Sequence, residues 1–253
     1  MKKLLSALLS VIMIVSLLAL TSCGGGDGNQ VETLNGKTPE EVYQASLETA
    51  KNLTSFSMTA DQVITMTMGE EKMEMTQTVI SKLDGHNSYS KIANSMGGSA
   101  ETWYVDDVLY TVSGNQKIKV NIAWEDYVAE YMPEGATAEN AIMNVPEDWF
   151  VDGMKFNKVD DGRYCLNFDV DSEKVIDYMS ESFGSMFGAI NAVGNFKYEM
   201  YFDENGNFSE CNISAELEME GVTATIVSSS KITDINSTTV TAPTDADSFV
   251  EAN

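Results

Sequence analysis

Few side chains in this sequence have the types and spacing that covalent catalysis needs. The 253 residues include a single histidine, His86, in a glycine-containing turn with no catalytic partner near it in sequence. Two pairs have the Ser-x-x-Lys spacing of penicillin-binding enzymes, namely Ser88 with Lys91 and Ser228 with Lys231. Both pairs fall in strand patterns, where residues three apart face opposite sides of a sheet. We therefore predict no catalytic residue and no enzyme activity.

Methionine is the residue type whose spacing most resembles a binding site. Of the fifteen methionines, four flank a predicted turn at 69–72, namely Met66, Met68, Met73 and Met75. A turn of that length would place Met68 opposite Met73. Met66 would then lie opposite Met75, and four thioethers would form one patch. Thioethers pack in ordinary cores, line apolar cavities whose ligand varies in shape, or bind Cu(I), and all three roles stay open here.

Carboxylates are abundant, but only one segment has a spacing that indicates a metal. Residues 203–207 read Asp-Glu-Asn-Gly-Asn and partly match a calcium-binding loop. The glycine stands fourth instead of sixth, and Ser214 occupies the position of the bidentate glutamate. A hairpin turn explains the segment better, so we predict no metal site and no cofactor.

Two cysteines, Cys165 and Cys211, each lie within a predicted strand. They are too far apart in sequence for a zinc-type pair. In an exported chain they could form a disulfide, which requires Cα atoms within bridging range. Two buried free thiols are the alternative, and both remain open at this point.

The first residues of the chain predict export and lipidation. A short basic segment and an apolar run over residues 4–20 precede Cys23, as in a secretory signal. The four residues that end at this cysteine, Leu-Thr-Ser-Cys, resemble the lipobox of bacterial lipoproteins. The resemblance implies a signal peptide over 1–22, acylation of the Cys23 thiol and a flexible tether over 23–37. The alternative is an uncleaved anchor, at the lower length limit for spanning a bilayer.

The charge balance excludes one class of partner and constrains another. Fifteen basic and thirty-nine acidic residues give a net charge of −24, and loss of Lys2 and Lys3 with the signal makes it −26. A field of this sign repels nucleic acid and anionic lipid head groups. We therefore predict no nucleic-acid partner and an extracytoplasmic domain that contacts the membrane through lipid on Cys23. The sequence does not indicate an oligomeric state.

Periodicity predicts the elements that hold these residues. A capping box at Thr38 starts a helix to about Leu53, whose predicted buried side is Val42, Tyr43, Leu47, Ala50 and Leu53. Apolar spacing also predicts helices over 124–144 and 172–190. The last helix carries candidate ligand-lining residues on one stripe: Met179, Phe183, Met186 and Phe187. Alternating apolar residues and turn signals elsewhere predict many antiparallel strands.

This arrangement predicts one domain over residues 38–242, followed by a polar tail over 243–253. A helix, a long antiparallel meander, inserted helices and a final pair of long strands, all behind a lipobox, resemble the LolA/LppX-like (LppX-LprAFG) superfamily of envelope lipoproteins and carriers. The resemblance implies an α+β fold: a strongly curved antiparallel β-sheet, or half-open barrel, with helices covering the concave face.

Members of that superfamily carry acyl chains or lipoprotein anchors in an apolar cavity. The resemblance therefore implies a tethered lipoprotein that binds or carries a hydrophobic ligand, with the two later helices as lids. A structural or sensory lipoprotein that binds another protein is the alternative. An empty, continuous apolar cavity would favour the first hypothesis, and a filled core with an exposed aromatic patch near Trp103, Trp124 or Trp149 would favour the second.

Overall fold

The structure is a computed structural model that describes residues 29–131, 145–183, 191–219 and 221–252. Several predictions lie outside the described residues: the signal peptide, the acylated Cys23, Met186, Phe187 and the C-terminal parts of the two later helices.

Three α-helices are described: α1 (Pro39–Lys51), α2 (Trp124–Tyr131) and α3 (Ser172–Phe183). α1 begins as predicted, because the Thr38 hydroxyl accepts the Glu41 N–H and the Glu41 carboxylate accepts the Thr38 N–H. Its buried side is also the predicted one: Val42, Tyr43, Leu47 and Ala50. Met179 and Phe183 belong to α3, but their side chains are outside the described part of the chain.

Fourteen described strands make up the rest of the fold. They are β1 (Asn29–Val31), β2 (Ser55–Met68), β3 (Glu71–Asp84), β4 (Asn87–Asn94), β5 (Ser99–Val105), β6 (Val108–Ser113), β7 (Gln116–Asn121), β8 (Lys155–Lys158), β9 (Tyr164–Val170), β10 (Asn191–Ala192), β11 (Phe196–Phe202), β12 (Phe208–Met219), β13 (Val222–Thr233) and β14 (Val250–Glu251). β1 lies within the predicted tether, so part of that segment is paired at an edge of the sheet.

All fourteen strands belong to one sheet, in the order β1-β8-β9-β11-β12-β13-β2-β3-β4-β5-β6-β7-β14, with β10 beside β12. Every pair is antiparallel except β14 with β7. One meander runs from β2 to β7 and another from β8 to β13, and they join where β2 pairs with β13. The predicted fold class is therefore confirmed: a large, open and curved antiparallel sheet with few helices.

The side chains of α1 pack against one face of this sheet, which we call the inner face. Two apolar clusters lie there. The first contains α1 and residues of β8 to β13, β2 and β3, and the second contains Phe56, Met58, Ala60 and Val79. The opposite side is the outer face.

The C-terminal tail packs on the outer face. Phe249 is buried, and its ring lies edge-on to Trp103 and Tyr110, with ring centroids 6.5 and 5.3 Å away. β14 then continues alongside β7. The predicted polar tail over 243–253 is therefore attached to the sheet up to its last described residues.

We expect the α1 cap to contribute measurably to stability. A Thr38→Ala variant should lower the free energy of unfolding by about 1 kcal/mol, because the Glu41 N–H loses its acceptor. Urea unfolding of both proteins measures the difference. Gln44→Ala, on the exposed side of the same helix, is the control and should change stability by less than about 0.5 kcal/mol. Equal loss in both variants would contradict the assigned cap.

Candidate ligand-binding face

The first apolar cluster fills the part of the inner face beneath α1. Tyr43 is fully buried at its centre, with its ring edge-on to Phe150 and Phe168 at centroid distances of 5.5 and 5.7 Å. The Tyr43 hydroxyl accepts the Val145 N–H at 3.0 Å. Burial raises the pKa of Tyr43 to about 12, although this hydrogen bond favours the phenolate. The phenol is therefore a neutral anchor between helix and sheet.

The β2–β3 hairpin differs from its predicted register. Gly69 and Glu70 alone form the turn, with Gly69 at a φ of 63° that glycine adopts without strain. Met66 therefore lies opposite Met73, and the predicted pairing of Met68 with Met73 is wrong. Because the shift is an even number of residues, all four methionines stay on the inner face.

Burial separates the four methionines. Met66 and Met75 are buried in the first apolar cluster, and Met73 packs against it. The predicted pairing of Met66 with Met75 is wrong, since Met75 lies opposite Ile64. Met68, at the end of β2, is 49% exposed. Three methionines are thus in or against the first cluster, while their role in lining a ligand, and the Cu(I) alternative, remain predictions.

A row of buried polar side chains divides the two apolar clusters. Ser228, Gln62 and Gln77 lie opposite one another on β13, β2 and β3, and are 1%, 2% and 3% exposed. The Gln77 side-chain N–H donates to the Gln62 carbonyl at 3.2 Å. Asn94 continues the row on β4. The inner face therefore has hydrogen-bonding groups between two apolar regions.

The inner face is almost free of charge. Residues directly opposite on neighbouring strands share a face, so the registers assign each side chain to one side. Glu199, Glu101 and Lys231 fall on the outer face in this way. In the order of the sheet, the strands from β9 through β13 and β2 to β7 are all described. Among them, the only charged side chain on the inner face is Glu71, at the start of β3.

A cavity of about 440 Å³ lies between α1 and the adjoining ends of β12 and β13. Small side chains of α1 line one wall, among them Ala45 and Ser46, and Phe208 and Ile232 line the other. Polar and charged residues also contribute to the lining, among them Asn35, Lys37, Asn205 and Asn207. Ligand cavities commonly have volumes of roughly 300–1,000 Å³, so this one can hold part of an acyl chain.

The turn beside this cavity is the segment that partly matched a calcium loop. The Asp203 carboxylate accepts the N–H groups of Asn205 and Asn207, and the Asn207 side-chain amide donates to it as well. The Asn207 amide, together with these backbone donors, lowers the pKa of Asp203. The carboxylate is therefore used to close a hairpin turn, as predicted.

The two cysteines are buried, and no disulfide joins them. Cys165 on β9 lies opposite Tyr201, and Cys211 on β12 lies opposite Met200. Tyr201 and Met200 are consecutive on β11, so the two cysteines face opposite sides of the sheet with a strand between them. Two strand spacings are roughly 10 Å, beyond the reach of a disulfide. Of the two predicted alternatives, the structure has the two buried thiols and not the disulfide.

The Ser-x-x-Lys pairs are divided by the sheet. Ser88 lies on the inner face, whereas Lys91 lies on the outer face and pairs with Glu101 at 2.8 Å. Ser228 is buried on the inner face, and Lys231 is exposed on the other. Neither lysine can accept a proton from its serine, so the spacing has no catalytic meaning here.

The predicted aromatic positions are packed against neighbouring rings and apolar groups. His86 is exposed in its turn, but its ring stacks on Trp124 with centroids 4.5 Å apart and planes 3° from parallel. Trp124, the first residue of α2, also contacts Tyr104. Trp149 packs against the first apolar cluster, and Trp103 contacts the tail as described. All three tryptophans are half-buried.

Of the helices that the structure describes, none is long and apolar enough to cross a bilayer. Within the same residues, no group of three or more His, Cys, Asp or Glu side chains could hold a metal ion.

Comparison with known proteins assigns the chain to a family. The sequence profile of DUF6612, a family of unknown function, matches residues 38–245. The chain belongs to this family.

Solved structures similar to this DUF6612 chain include the lipoprotein LppX of Mycobacterium tuberculosis, with 9% identity, a TM-score of 0.32, and 79% of this chain and 95% of that chain covered. LprF of Mycobacterium bovis has 13% identity, a TM-score of 0.34 and coverage of 81% and 95%. A LolA superfamily protein of Nitrosomonas europaea has 11% identity, a TM-score of 0.28 and coverage of 79% and 96%.

These matches are of the kind that the predicted LolA/LppX-like resemblance names. Identities and scores of this size do not establish a shared ligand or activity. Among curated proteins, the comparison finds no match to the DUF6612 chain.

Sequence reasoning missed the polar row and the cavity beside α1. The row has a visible signal, because Gln62 interrupts the apolar alternation of β2 at an inner position, and Gln77 does the same in β3. The cavity has none. Its walls come from α1, the 203–207 turn and the end of β13, which only the tertiary structure brings together.

Burial of the cysteines predicts slow reaction with thiol reagents. Burial raises the pKa of the Cys165 thiol to about 12, so little thiolate forms in the folded chain. A Cys23→Ser variant of the DUF6612 chain retains only Cys165 and Cys211. At about pH 8 we expect almost no colour with dithionitrobenzoate until denaturant is added. Rapid reaction without denaturant, or no reaction with it, would contradict two buried, unbridged thiols.

Proposed function

We propose that this chain is an extracytoplasmic, membrane-tethered lipoprotein that binds or carries a hydrophobic ligand, a lipid or an acyl chain, on its inner face. The observation that supports this best is a contrast within one molecule. The net charge is −24, yet the described strands from β9 to β7 place one charged side chain, Glu71, on that face. An apolar ligand binds there without desolvating ions.

The cavity beside α1 is the proposed entry for the ligand into the apolar lining. Val42 and Phe208 connect it to the first cluster, and Leu53 and Ile232 connect it to the second. Each methylene that leaves water here contributes roughly 0.8 kcal/mol. An acyl segment of about eight methylenes would gain about 6 kcal/mol, before the entropic cost of association.

The two apolar clusters to which this entry connects contain side chains that suit a ligand of variable shape. Met66, Met75 and Met200 are buried in the first cluster, and Met58 is buried in the second. Thioether side chains are unbranched and adapt to irregular contacts. Methionines at these positions would let the lining close around acyl chains of different length or saturation.

The tether in this proposal comes from the lipobox at Cys23. A strongly acidic domain is repelled by anionic lipid head groups, so a covalent lipid is needed to hold it at the membrane. β1 starts soon after this cysteine, at one edge of the sheet. A short link of this kind would keep the inner face within reach of the bilayer.

Filling the cavity should block binding. We expect Ala45→Trp to weaken uptake of a fluorescent fatty acid at least about tenfold, because the indole would occupy space that the ligand needs. Gln44→Trp is the matched control, since the same side chain is added at the next residue on the exposed side of α1. Fluorescence titration measures both, and circular dichroism checks the fold.

The outcome of that titration separates the two hypotheses about function. Undiminished uptake by a folded Ala45→Trp variant would contradict the proposed cavity. Absence of uptake by the wild-type chain would contradict ligand binding altogether, and would favour a structural or sensory lipoprotein that binds another protein.

Removing the proposed acylation site should detach the domain. We expect a Cys23→Ser variant to fold and appear in the medium, because the lipid on that thiol is the proposed anchor. Immunoblotting of membrane and medium fractions after an alkaline wash measures this. Ser22→Ala, which keeps the cysteine, should remain with the membrane. Retention of the Cys23→Ser variant would indicate an uncleaved transmembrane anchor.

A further inference from the structure

The inner face changes its chemistry beyond β3. A row of small hydroxyl side chains crosses four strands there, continuing from Met58 of the second apolar cluster. The row is formed by Ser81 on β3, Ser90 on β4, Thr102 on β5 and Thr111 on β6, each directly opposite the next. Directly opposite residues share a face, so these hydroxyls all lie on the inner face.

These hydroxyls are partly exposed and available for hydrogen bonding. All four residues are half-buried. In the part of the chain that the structure describes, none of the four hydroxyls has a hydrogen-bond partner. The row can therefore exchange hydrogen bonds with a molecule that lies on the face.

Apart from Glu71, at the start of β3, the strands that form the row place no charged side chain on the same face as the four hydroxyls. The nearest charged residues on these strands, Lys82, Lys91 and Glu101, lie on the outer face, where Lys91 and Glu101 pair at 2.8 Å. A phosphate or carboxylate placed on the row would therefore have no cation beside it, within a chain whose net charge is −24. An uncharged group would meet neither repulsion nor a buried ion.

We propose that the hydroxyl row binds the uncharged, hydroxyl-bearing head group of a lipid whose acyl chains lie in the apolar part of the inner face. The inference rests on the proposed function and assigns its ligand to a chemical class, neutral glycosyl-type lipids. Two features of the face carry it: the row is continuous with the second apolar cluster through Met58, and each hydroxyl both donates and accepts a hydrogen bond.

Three probes with identical acyl chains test the head group: dioleoyl glucosylglycerol, dioleoylglycerol and dioleoyl phosphatidylglycerol. Displacement of a fluorescent fatty acid from the full-length chain gives their relative affinities. We expect the glucosyl lipid to bind roughly tenfold more tightly than either of the others, the effect of one or two hydrogen bonds. In Thr102→Val/Thr111→Val, which keeps side-chain shape, that preference should fall to within about twofold.

A matched control changes the same residue type on the other face. Thr65→Val lies on the outer face of β2, opposite Thr225 and Glu74, and should keep the wild-type preference. The double variant should bind dioleoylglycerol like the wild type, which shows that the acyl site is intact. If the double variant binds none of the three probes and has also lost its circular dichroism signal, the same titrations are made with Ser90→Ala, a smaller change in the same row.

The outcomes distinguish this inference from the proposed function. Equal binding of the three lipids, a preference for phosphatidylglycerol, or a glucosyl preference that survives in the double variant would overturn the head-group assignment and leave lipid binding in place. Failure of every probe to bind the wild-type chain would overturn both.

Discussion

The pairing of β2 with β13 is the contact on which the rest of the structure depends. It joins two meanders that are far apart in sequence, from Met68 opposite Val222 to Ser57 opposite Thr233. Without it, β2 and β13 would each be an unpaired edge of a separate sheet, and α1 would have no continuous surface to cover. The first apolar cluster takes residues from both meanders, so its burial and this strand pairing form together.

The buried polar row favours one register of that strand pairing. Buried amides and hydroxyls cost free energy unless they are hydrogen-bonded, and Gln62 and Ser228 meet only in the observed register. A slip by two residues would keep every side chain on its face but would set Gln62 against Ile226 or Ser230. The amide of Gln77, bonded to Gln62, extends this requirement to β3. The row thus specifies register where apolar residues alone would tolerate a shift.

Local patterns predicted the parts of the fold whose causes are local. The cap at Thr38, the buried side of α1 and the turn at Asn205-Gly206 depend on residues within a few positions of one another. The predicted pairing of the methionines was wrong because Gly69 permits a two-residue turn, and the length of the turn decides which residues lie opposite one another. The cavity and the separation of Cys165 from Cys211 required the strand order, which no local pattern contains.

The distribution of charge links composition to the proposed ligand. Acidic residues are excluded from the inner face by burial, since an ionised carboxylate beneath α1 would lose its hydration without gaining a partner. They collect on the outer face and in the turns, where solvent screens them. A lipid with an anionic head approaching this surface is repelled before contact, whereas a neutral one is not. The outer charge and the uncharged inner face therefore discriminate in the same direction, the first by slowing approach and the second by leaving an anion without a cation.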